Sequence, residues 1–360
     1  MTEYEKLLVA VLATSVDASR SFSPLPTSLK IEDWKEFLKL AQAHGVASLV
    51  TERFQNMPPE MLPPKSILMP LVGHLLRQEK RYRWQLQTVN AFAKVLKEKG
   101  VSMMVLKGIS FSSYYHKPEL RECGDCDIFL GENFELGNQV ICDVGGTYDR
   151  GTYKHSHLLL NGLLIENHRY ITDFHGTKKG VSLEQMLQKY AKLPGEIIQG
   201  TELIRPNALF NALHLLRHAQ GNLMLGGMTL RMIYDWAVFL REEQNNIDCH
   251  QLYESLEKCY LRKFADVLTG ICVKFFGLKL TNEKITVSSD YGLIKRVLLD
   301  TFREGNHLIP SESFWYKTKR ICNRFKRMWC FRGLAIESVP MMIWNTFAFS
   351  SYLKRDIRLK

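Results

Sequence analysis

The sequence predicts an α/β (α+β) fold in which a sheet-containing core lies between helical N- and C-terminal regions. Apolar residues recur at helical spacing through residues 1–92 and again from residue 205. Between these regions, short apolar runs follow a glycine or flank a turn, which is typical of strands in a sheet. We therefore expect a helical N-terminal region at 1–92, an α/β core at 93–204, a helical C-terminal domain at 205–312 and a basic, aromatic-rich tail at 313–360.

Three apolar patterns predict the helices of the N-terminal region. The third and longest runs from about Ile67 to Lys99 and ends at Gly100, a residue type that often terminates helices. The first two patterns consist of Leu7, Leu8, Val11 and Leu12, and of Trp34, Phe37, Leu38 and Ala41.

The core is predicted to contain two buried strands and a hairpin. Val101–Leu106 and Cys126–Leu130 are short apolar runs typical of buried strands, whereas Phe134–Val144 predicts a short helix. Ile109–Tyr115 is predicted to form a helix or a turn. The dipeptide Asn161-Gly162 lies between two apolar runs, which is the strongest short-range signal for a β-hairpin.

The C-terminal domain is predicted to be helical throughout. Asn207 is a favourable N-cap for a helix over Ala208–Gln220, which we expect to end at Gly221. Two further amphipathic patterns predict helices over Leu230–Arg241 and Leu252–Phe276.

Composition places the chain among ordinary globular proteins. Of its 360 residues, 46% are hydrophobic and 24% are charged. The first residues lack the basic start of a signal peptide, so we expect a cytoplasmic protein whose eight cysteines are thiols. Cys123 and Cys126 form a C-x-x-C pair, but the sequence offers no second pair of zinc ligands, and the motif leads into a strand instead of a helix. Metal or redox use of this pair is therefore disfavoured.

Most of the positive charge lies at the C-terminus. The net charge is +11, and residues 313–360 contain eleven Lys or Arg and two acids, which gives this tail a charge of +9. Its apolar part, Ser338–Leu353, is short for a membrane-spanning helix. Three interpretations remain open for the tail: a helical cap with a solvated basic face, a segment that binds the inner face of a membrane, and a surface that binds nucleic acid.

The chemistry is predicted to lie on the second strand. Side chains alternate along a strand, so Asp125 and Asp127 face the same way. Two such carboxylates repel each other unless they share a proton or a cation. On the second arm of the hairpin, the same alternation puts Leu164, Glu166 and His168 on one face, which makes Glu166 a candidate third acid. Beside a glycine turn and an arginine, these acids suggest a magnesium-dependent phosphoryl- or nucleotidyl-transfer site.

Simpler explanations exist for the same residues. Asp125 and Asp127 could lie at a solvated strand end, and Glu166 could form a salt bridge at a sheet edge. His214 and His218 have the i, i+4 spacing of a zinc pair, but a structural or substrate-facing role is favoured because the acidic second residue of a zinc protease motif is missing. Asp235 lies among apolar residues and is expected to be buried and paired.

Taken together, Leu106-Lys107-Gly108, Arg121, Asp125-x-Asp127 and Glu166-x-His168 resemble the nucleotidyltransferase fold of the DNA polymerase β superfamily. More narrowly, they resemble a family of uncharacterised bacterial nucleotidyltransferases, over roughly residues 85–245. The chain departs from the superfamily signature at two points. Ile109 follows Gly108 where a glycine or serine is usual, and the segment from Gly108 to Asp125 is longer than the common spacing.

The resemblance implies a mixed sheet with helices packed on it, and a role for each motif residue. Asp125, Asp127 and Glu166 would be both the catalytic acids and the ligands of Mg²⁺ or Mn²⁺. The nucleotide-binding set would consist of Lys107, Gly108, Ser110, Arg121 and His168. Gly108 and Ser110 would lie in the phosphate-facing turn, while Lys107 and Arg121 would neutralise the triphosphate.

The expected reaction transfers a nucleoside monophosphate from an NTP to the hydroxyl group of an unknown acceptor. Two alternatives remain open. The first is a toxin-like or regulatory nucleotidyltransferase that acts on RNA or protein through the basic tail. The second is a non-catalytic nucleotide- or partner-binding protein that retains the fold.

Overall fold

A computed structural model describes residues 1–17, 29–59, 62–173, 177–303 and 314–344. The chain divides into two compact units. The helical unit consists of Met1–Glu79, Leu215–Leu256 and Leu261–Ala335, and the sheet unit consists of Lys80–His214, Glu257–Tyr260 and Ile336–Lys360.

The described residues form helices along the whole chain, from the first residues to position 330. They are α1 (Glu3–Val16), α2 (Ile31–Ala43), α3 (Ala47–Gln55), α4 (Lys65–Glu98), α5 (Ile109–Ser112), α6 (Phe134–Asp143), α7 (Lys178–Ala191), α8 (Ala208–Leu225), α9 (Leu230–Glu243), α10 (Cys249–Lys258), α11 (Arg262–Phe275), α12 (Tyr291–Arg303) and α13 (Phe314–Cys330). Short 3₁₀ turns cover Pro118–Leu120, Gly131–Asn133 and Arg332–Leu334.

Seven strands form one mixed sheet in the sheet unit. They are β1 (Met103–Val105), β2 (Cys126–Phe129), β3 (Thr147–Asp149), β4 (His155–Leu160), β5 (Leu163–His168), β6 (Glu196–Ile197) and β7 (Leu203–Arg205), in the spatial order β3-β4-β5-β2-β1-β7-β6. The pairs β2–β5 and β1–β7 are parallel, and the other neighbours are antiparallel. The predicted α/β class and the mixed sheet are therefore confirmed.

One face of the sheet packs on α4 and α6 to form an apolar core. Cys126 and Ile128 of β2 lie in this core with Ile165 of β5, against Phe92 of α4 and Ile141 of α6. Because strand side chains alternate, the residues between them, including those at positions 127, 129, 166 and 168, lie on the opposite face. The sheet thus separates a mainly apolar face, on which Asn167 hydrogen-bonds to Asn138 of α6, from a face that contains titratable groups.

Most of the predicted elements of the sheet unit are confirmed. The long third helix is α4, the two buried strands are β1 and β2, and Ile109–Tyr115 contains the short helix α5. The hairpin is formed by β4 and β5, and its turn residues Asn161 and Gly162 both have positive φ, 50° and 79°. That conformation is the reason an Asn-Gly pair is favoured in a two-residue hairpin turn.

Two predicted helix boundaries are wrong. Helix α8 continues through Gly221 to Leu225 and ends at a pair of glycines, where Gly227 adopts a φ of 96° and donates to the Asn222 carbonyl. The helix predicted over Leu252–Phe276 is two helices, α10 and α11, because Tyr260 adopts a left-handed φ of 56° between them. No glycine or proline marks this break in the sequence.

The basic tail begins as helix α13 of the helical unit. Its Arg327 is buried and donates from Nε to Asp300 at 2.9 Å, so this basic residue belongs to an internal ion pair. Within the described residues, no helix combines the length and apolarity needed to cross a membrane. The apolar segment expected at Ser338–Leu353 lies partly outside the described residues, and the binding of a membrane surface or nucleic acid by 313–360 stays a prediction.

Candidate active site

Strand pairing brings the predicted site residues into two adjacent rows on one face of the sheet. In the parallel pair β2–β5, Asp127 lies opposite Glu166 and Phe129 lies opposite His168. In the antiparallel pair β4–β5, His155 lies opposite His168. The residues at 125 and 127 and those at 166 and 168 thus meet although about forty residues separate them in the chain.

Asp127 is the buried centre of the site. Its side chain is 1% exposed, and its Oδ1 lies 3.1 Å from Lys107 Nζ and 2.9 Å from His168 Nε2. Burial by itself would raise the pKa of Asp127, but the Lys107 ammonium and the His168 imidazole hold it well below the usual value. Burial likewise opposes the charged form of His168, yet its hydrogen bonds to Asp127 and Glu166 raise its pKa. The three groups therefore favour the charged state in one another.

Asp125 and Glu166 complete a group of three carboxylates. Asp125 is exposed at the start of β2, Glu166 is half-buried, and one oxygen from each of the three carboxylates lies within 4.8 Å of the others. Burial by itself would raise the pKa of Glu166, but the hydrogen bond from His168 and the charges of His155 and His168 together lower it. Three carboxylate oxygens at this spacing fit a hard divalent cation such as Mg²⁺ or Mn²⁺.

The turn after β1 is built around Gly108. Its φ of 54° and ψ of −109° are accessible to glycine and strained for any other residue. The Gly108 carbonyl accepts hydrogen bonds from Ser112 Oγ at 3.0 Å and from Arg121 Nη1 at 3.3 Å. Arg121 is buried, and its guanidinium supports the turn by donating to the backbone carbonyl of Gly108. Ser110 is also buried, and within the described residues its Oγ has no hydrogen-bond partner. Phosphate contact by Arg121 and Ser110 stays a prediction.

The two cysteines of the C-x-x-C pair lie in different surroundings. Cys123 Sγ accepts from Arg121 Nη1 at 3.3 Å, beside Gly108. Cys126 points into the apolar core, where burial raises its pKa well above the usual value. Cys123 therefore packs with the turn, whereas Cys126 is a core residue.

Two histidines of the site were not assigned to it from the sequence. His214 of α8 is buried, and both this burial and the positive charge of Lys107 hold its pKa well below the usual value. Burial lowers the pKa of His155 to about 4. The position of His155 could have been predicted from the sequence, because a two-residue turn at Asn161-Gly162 pairs position 155 with position 168. No local signal places His214 near Lys107.

A pocket of about 740 Å³ opens on the same face of the sheet, next to the His168 row. The pocket is lined on its sheet side by Ile204, Met104 and Phe129. These residues pair with one another across β7, β1 and β2, and Phe129 pairs in turn with His168 of β5. The pocket is of the size that binds small molecules in proteins.

Residues 30–277 match the model of a family described as an uncharacterised nucleotidyltransferase. The match covers more than half of the chain and includes all the residues of the site. The chain belongs to this nucleotidyltransferase family. It is therefore a phosphorus-group transferase, and the acidic group of its sheet unit is where a metal ion could bind. Neither the comparison with curated proteins nor that with solved structures gave a match.

Proposed function

We propose that this protein transfers a nucleoside monophosphate from an NTP to an acceptor hydroxyl group, with Mg²⁺ or Mn²⁺ bound by Asp125, Asp127 and Glu166. The observation that supports the proposal is the convergence of these three carboxylates beside the Lys107-Gly108 turn. Membership of the DNA polymerase β-like superfamily is part of the proposal, and it rests on the same combination of a glycine turn, a D-x-D strand and a third acid.

The charges of the site suit this reaction. Bound divalent ions polarise the phosphate and stabilise the charge that develops in the transfer. Glu166 stays ionised at neutral pH because its pKa is lowered, so it is able to accept the proton of the attacking hydroxyl. The Lys107 ammonium is partly exposed beside Asp127, where it adds positive charge for the triphosphate. Phe129 and Met104 would position the nucleoside or the acceptor in the adjoining pocket.

The test measures NTP binding and turnover of the full chain. Each of the four NTPs is titrated by calorimetry with Mg²⁺ and with EDTA, against wild type and the D125N/D127N double variant. The matched control is Asp143→Asn, because Asp143 is an exposed carboxylate at the end of α6, outside the site. The preferred NTP, labelled in its α-phosphate, is then used to search for the acceptor.

We expect Mg²⁺-dependent binding of at least one NTP to wild type and to D143N, and its loss in D125N/D127N. Binding that survives in the double variant would show that the carboxylates do not hold the metal–nucleotide complex. If no NTP binds wild type under either condition, the proposed function is wrong, and the non-catalytic alternative becomes the better explanation.

A further inference from the structure

A second group of possible metal ligands lies beside the three carboxylates, on the two arms of the hairpin. His155 of β4 pairs with His168 of β5, and Glu166 precedes His168 by two positions on the same face. His155, Glu166 and His168 each offer one ligand atom, and these atoms all lie within 4.8 Å of one another. The group contains two imidazoles and one carboxylate, so its chemistry differs from that of the all-oxygen set.

The distances within this group suit four-coordinate zinc. Glu166 Oε2 lies 3.4 Å from His168 Nε2 and 3.5 Å from His155 Nδ1. A tetrahedral Zn²⁺ ion with bonds of about 2.0–2.1 Å holds its ligand atoms about 3.4 Å apart. The Glu166 oxygen thus already lies one edge length of such a tetrahedron from each of the two nitrogens.

The histidine orientations also point to a ligand. His168 Nδ1 lies 3.0 Å from the Tyr170 carbonyl, to which it donates, and this bond directs Nε2 into the group. Metal-binding histidines commonly have such a second hydrogen bond to a carbonyl or carboxylate. Within the described residues, the buried Nδ1 atom of His155 has no hydrogen-bond partner, although it faces Glu166. A buried polar atom without a partner is costly, and a bound cation would satisfy it.

We propose that His155, Glu166 and His168 bind a first-row transition ion, for which Zn²⁺ is the best match. Imidazole nitrogen suits Zn²⁺, whereas Mg²⁺ prefers oxygen ligands. Asp127 Oδ1 also lies 2.9 Å from His168 Nε2. When the ion binds, the Nε2 proton is released to water, and the bond from Nε2 to the ion replaces this hydrogen bond. The side chains of His155 and Glu166 are 13% and 18% exposed, so water can reach the fourth coordination position.

This site is distinct from the proposed Mg²⁺ site, although both use Glu166. Asp125 belongs only to the carboxylate set, and His155 belongs only to the imidazole set. A substitution at either position therefore separates the two. The zinc site does not require the nucleotidyl-transfer function, because all three of its ligands lie on the hairpin.

The experiment uses Co²⁺ as a spectroscopic probe for Zn²⁺ on the EDTA-treated full chain. Visible d–d absorption reports four-coordinate Co²⁺, and Zn²⁺ competition gives the affinity. The variants are H155Q, H157Q and D125N. His157→Gln is the matched control because His157 neighbours His155 on the same strand face and pairs with Asp149 at 3.3 Å.

We expect one tightly bound Co²⁺ in wild type, H157Q and D125N, and an affinity at least about 100-fold weaker in H155Q, which lacks one ligand. A fourth variant, His155→Cys, replaces nitrogen with sulfur. It should retain Co²⁺ and add a thiolate-to-metal charge-transfer band that wild type lacks, which keeps the test informative if H155Q folds poorly.

Equal Co²⁺ affinity in H155Q and wild type overturns the proposal, as does loss of Co²⁺ in D125N with retention in H155Q. The latter result would assign the ion to the carboxylates. Mg²⁺–NTP binding is measured on the same samples, so a chain that binds Co²⁺ through His155 and binds no NTP would refute only the proposed function. The converse result would refute only the zinc site.

Discussion

The ion pair between Lys107 and Asp127 allows a quantitative test of how the site is held together. Replacing Lys107 with methionine removes the ammonium 3.1 Å from Asp127 Oδ1 and keeps most of the side-chain volume. Asp127 is 1% exposed, so water cannot solvate its carboxylate when the ammonium is removed. We therefore expect K107M to destabilise the sheet around β2 in the absence of a divalent ion.

The size of the effect follows from burial and distance. Two unit charges 3.1 Å apart attract by about 5 kcal/mol at an effective dielectric constant of about 20. Removing one partner of a buried pair typically costs about 3–5 kcal/mol. His168 still contacts Asp127 at 2.9 Å in the variant, so we expect the lower end, about 3 kcal/mol. A saturating divalent ion should recover part of this loss, because it neutralises the same carboxylate.

Amide hydrogen exchange in the presence of EDTA measures this local stability. The opening free energies are taken from peptides that cover β2 and β5. The matched control is Lys97→Met. Lys97 pairs with Glu202 at 2.5 Å but is 65% exposed, so K97M should cost at most about 1 kcal/mol. A double-mutant cycle with Asp127→Asn should give a coupling energy of about 2–3 kcal/mol. A coupling below about 0.5 kcal/mol would refute the claim that Lys107 compensates the buried charge.

Three further predictions concern the hairpin and the segment after it. Gly162→Val places a branched residue at a φ of 79°, so hydrogen exchange of β4 and β5 should show a loss of about 1–2 kcal/mol; unchanged protection would contradict the turn conformation. Glu184→Ala removes a buried carboxylate that accepts from the backbone N–H groups of Ile171 and Thr172 at 3.0 and 2.8 Å, and should cost about 2–4 kcal/mol in thermal or urea unfolding. Glu184→Gln, which keeps one acceptor oxygen, should lose less, and equal losses would argue against the hydrogen bonds. Burial lowers the pKa of His155 from 6.5 to about 4, so the unfolded chain binds a proton in this range and stability in EDTA falls as pH drops from 6.5 to 4. His155→Gln should make the melting temperature depend less on pH in this window. Part of the pH dependence should remain, because the pKa of His214 is also lowered. An unchanged pH dependence would contradict the assignment of this effect to His155.

The sequence predicts local structure well wherever a short-range rule decides it. The turn at Asn161-Gly162 fixes the register of β4 against β5, and this register alone places His155 beside His168. Strand alternation likewise places Asp125 with Asp127, and Glu166 with His168. In each case the prediction requires only the period of a strand and the length of a turn.

The remaining features depend on contacts between distant parts of the chain. The parallel pairing that puts Asp127 opposite Glu166 joins strands separated by α6, β3 and β4, and no local pattern specifies it. Phosphate contact by Arg121 stays a prediction, and the position of this side chain against the Gly108 carbonyl depends on the path of residues 109–124, which no local rule specifies. The break at Tyr260 was missed because a tyrosine does not signal the left-handed φ at which α10 ends, where the Leu261 N–H donates to the Leu256 carbonyl.

The buried carboxylate of Asp127 is neutralised by its neighbours, and this limits how a metal ion enters the proposed site. Asp127 is compensated by Lys107 and His168, so an incoming divalent cation must compete with two groups that already hold the same oxygen. Positive charges crowded around one carboxylate oppose the binding of the bare ion, whereas a triphosphate brings negative charge that attracts Lys107. Since any coupling between two ligands is reciprocal, a nucleotide that draws Lys107 away from Asp127 raises the affinity for the ion, and the ion raises the affinity for the nucleotide. In the proposed function, the Lys107–Asp127–His168 arrangement therefore favours binding of metal and nucleotide together over binding of either alone.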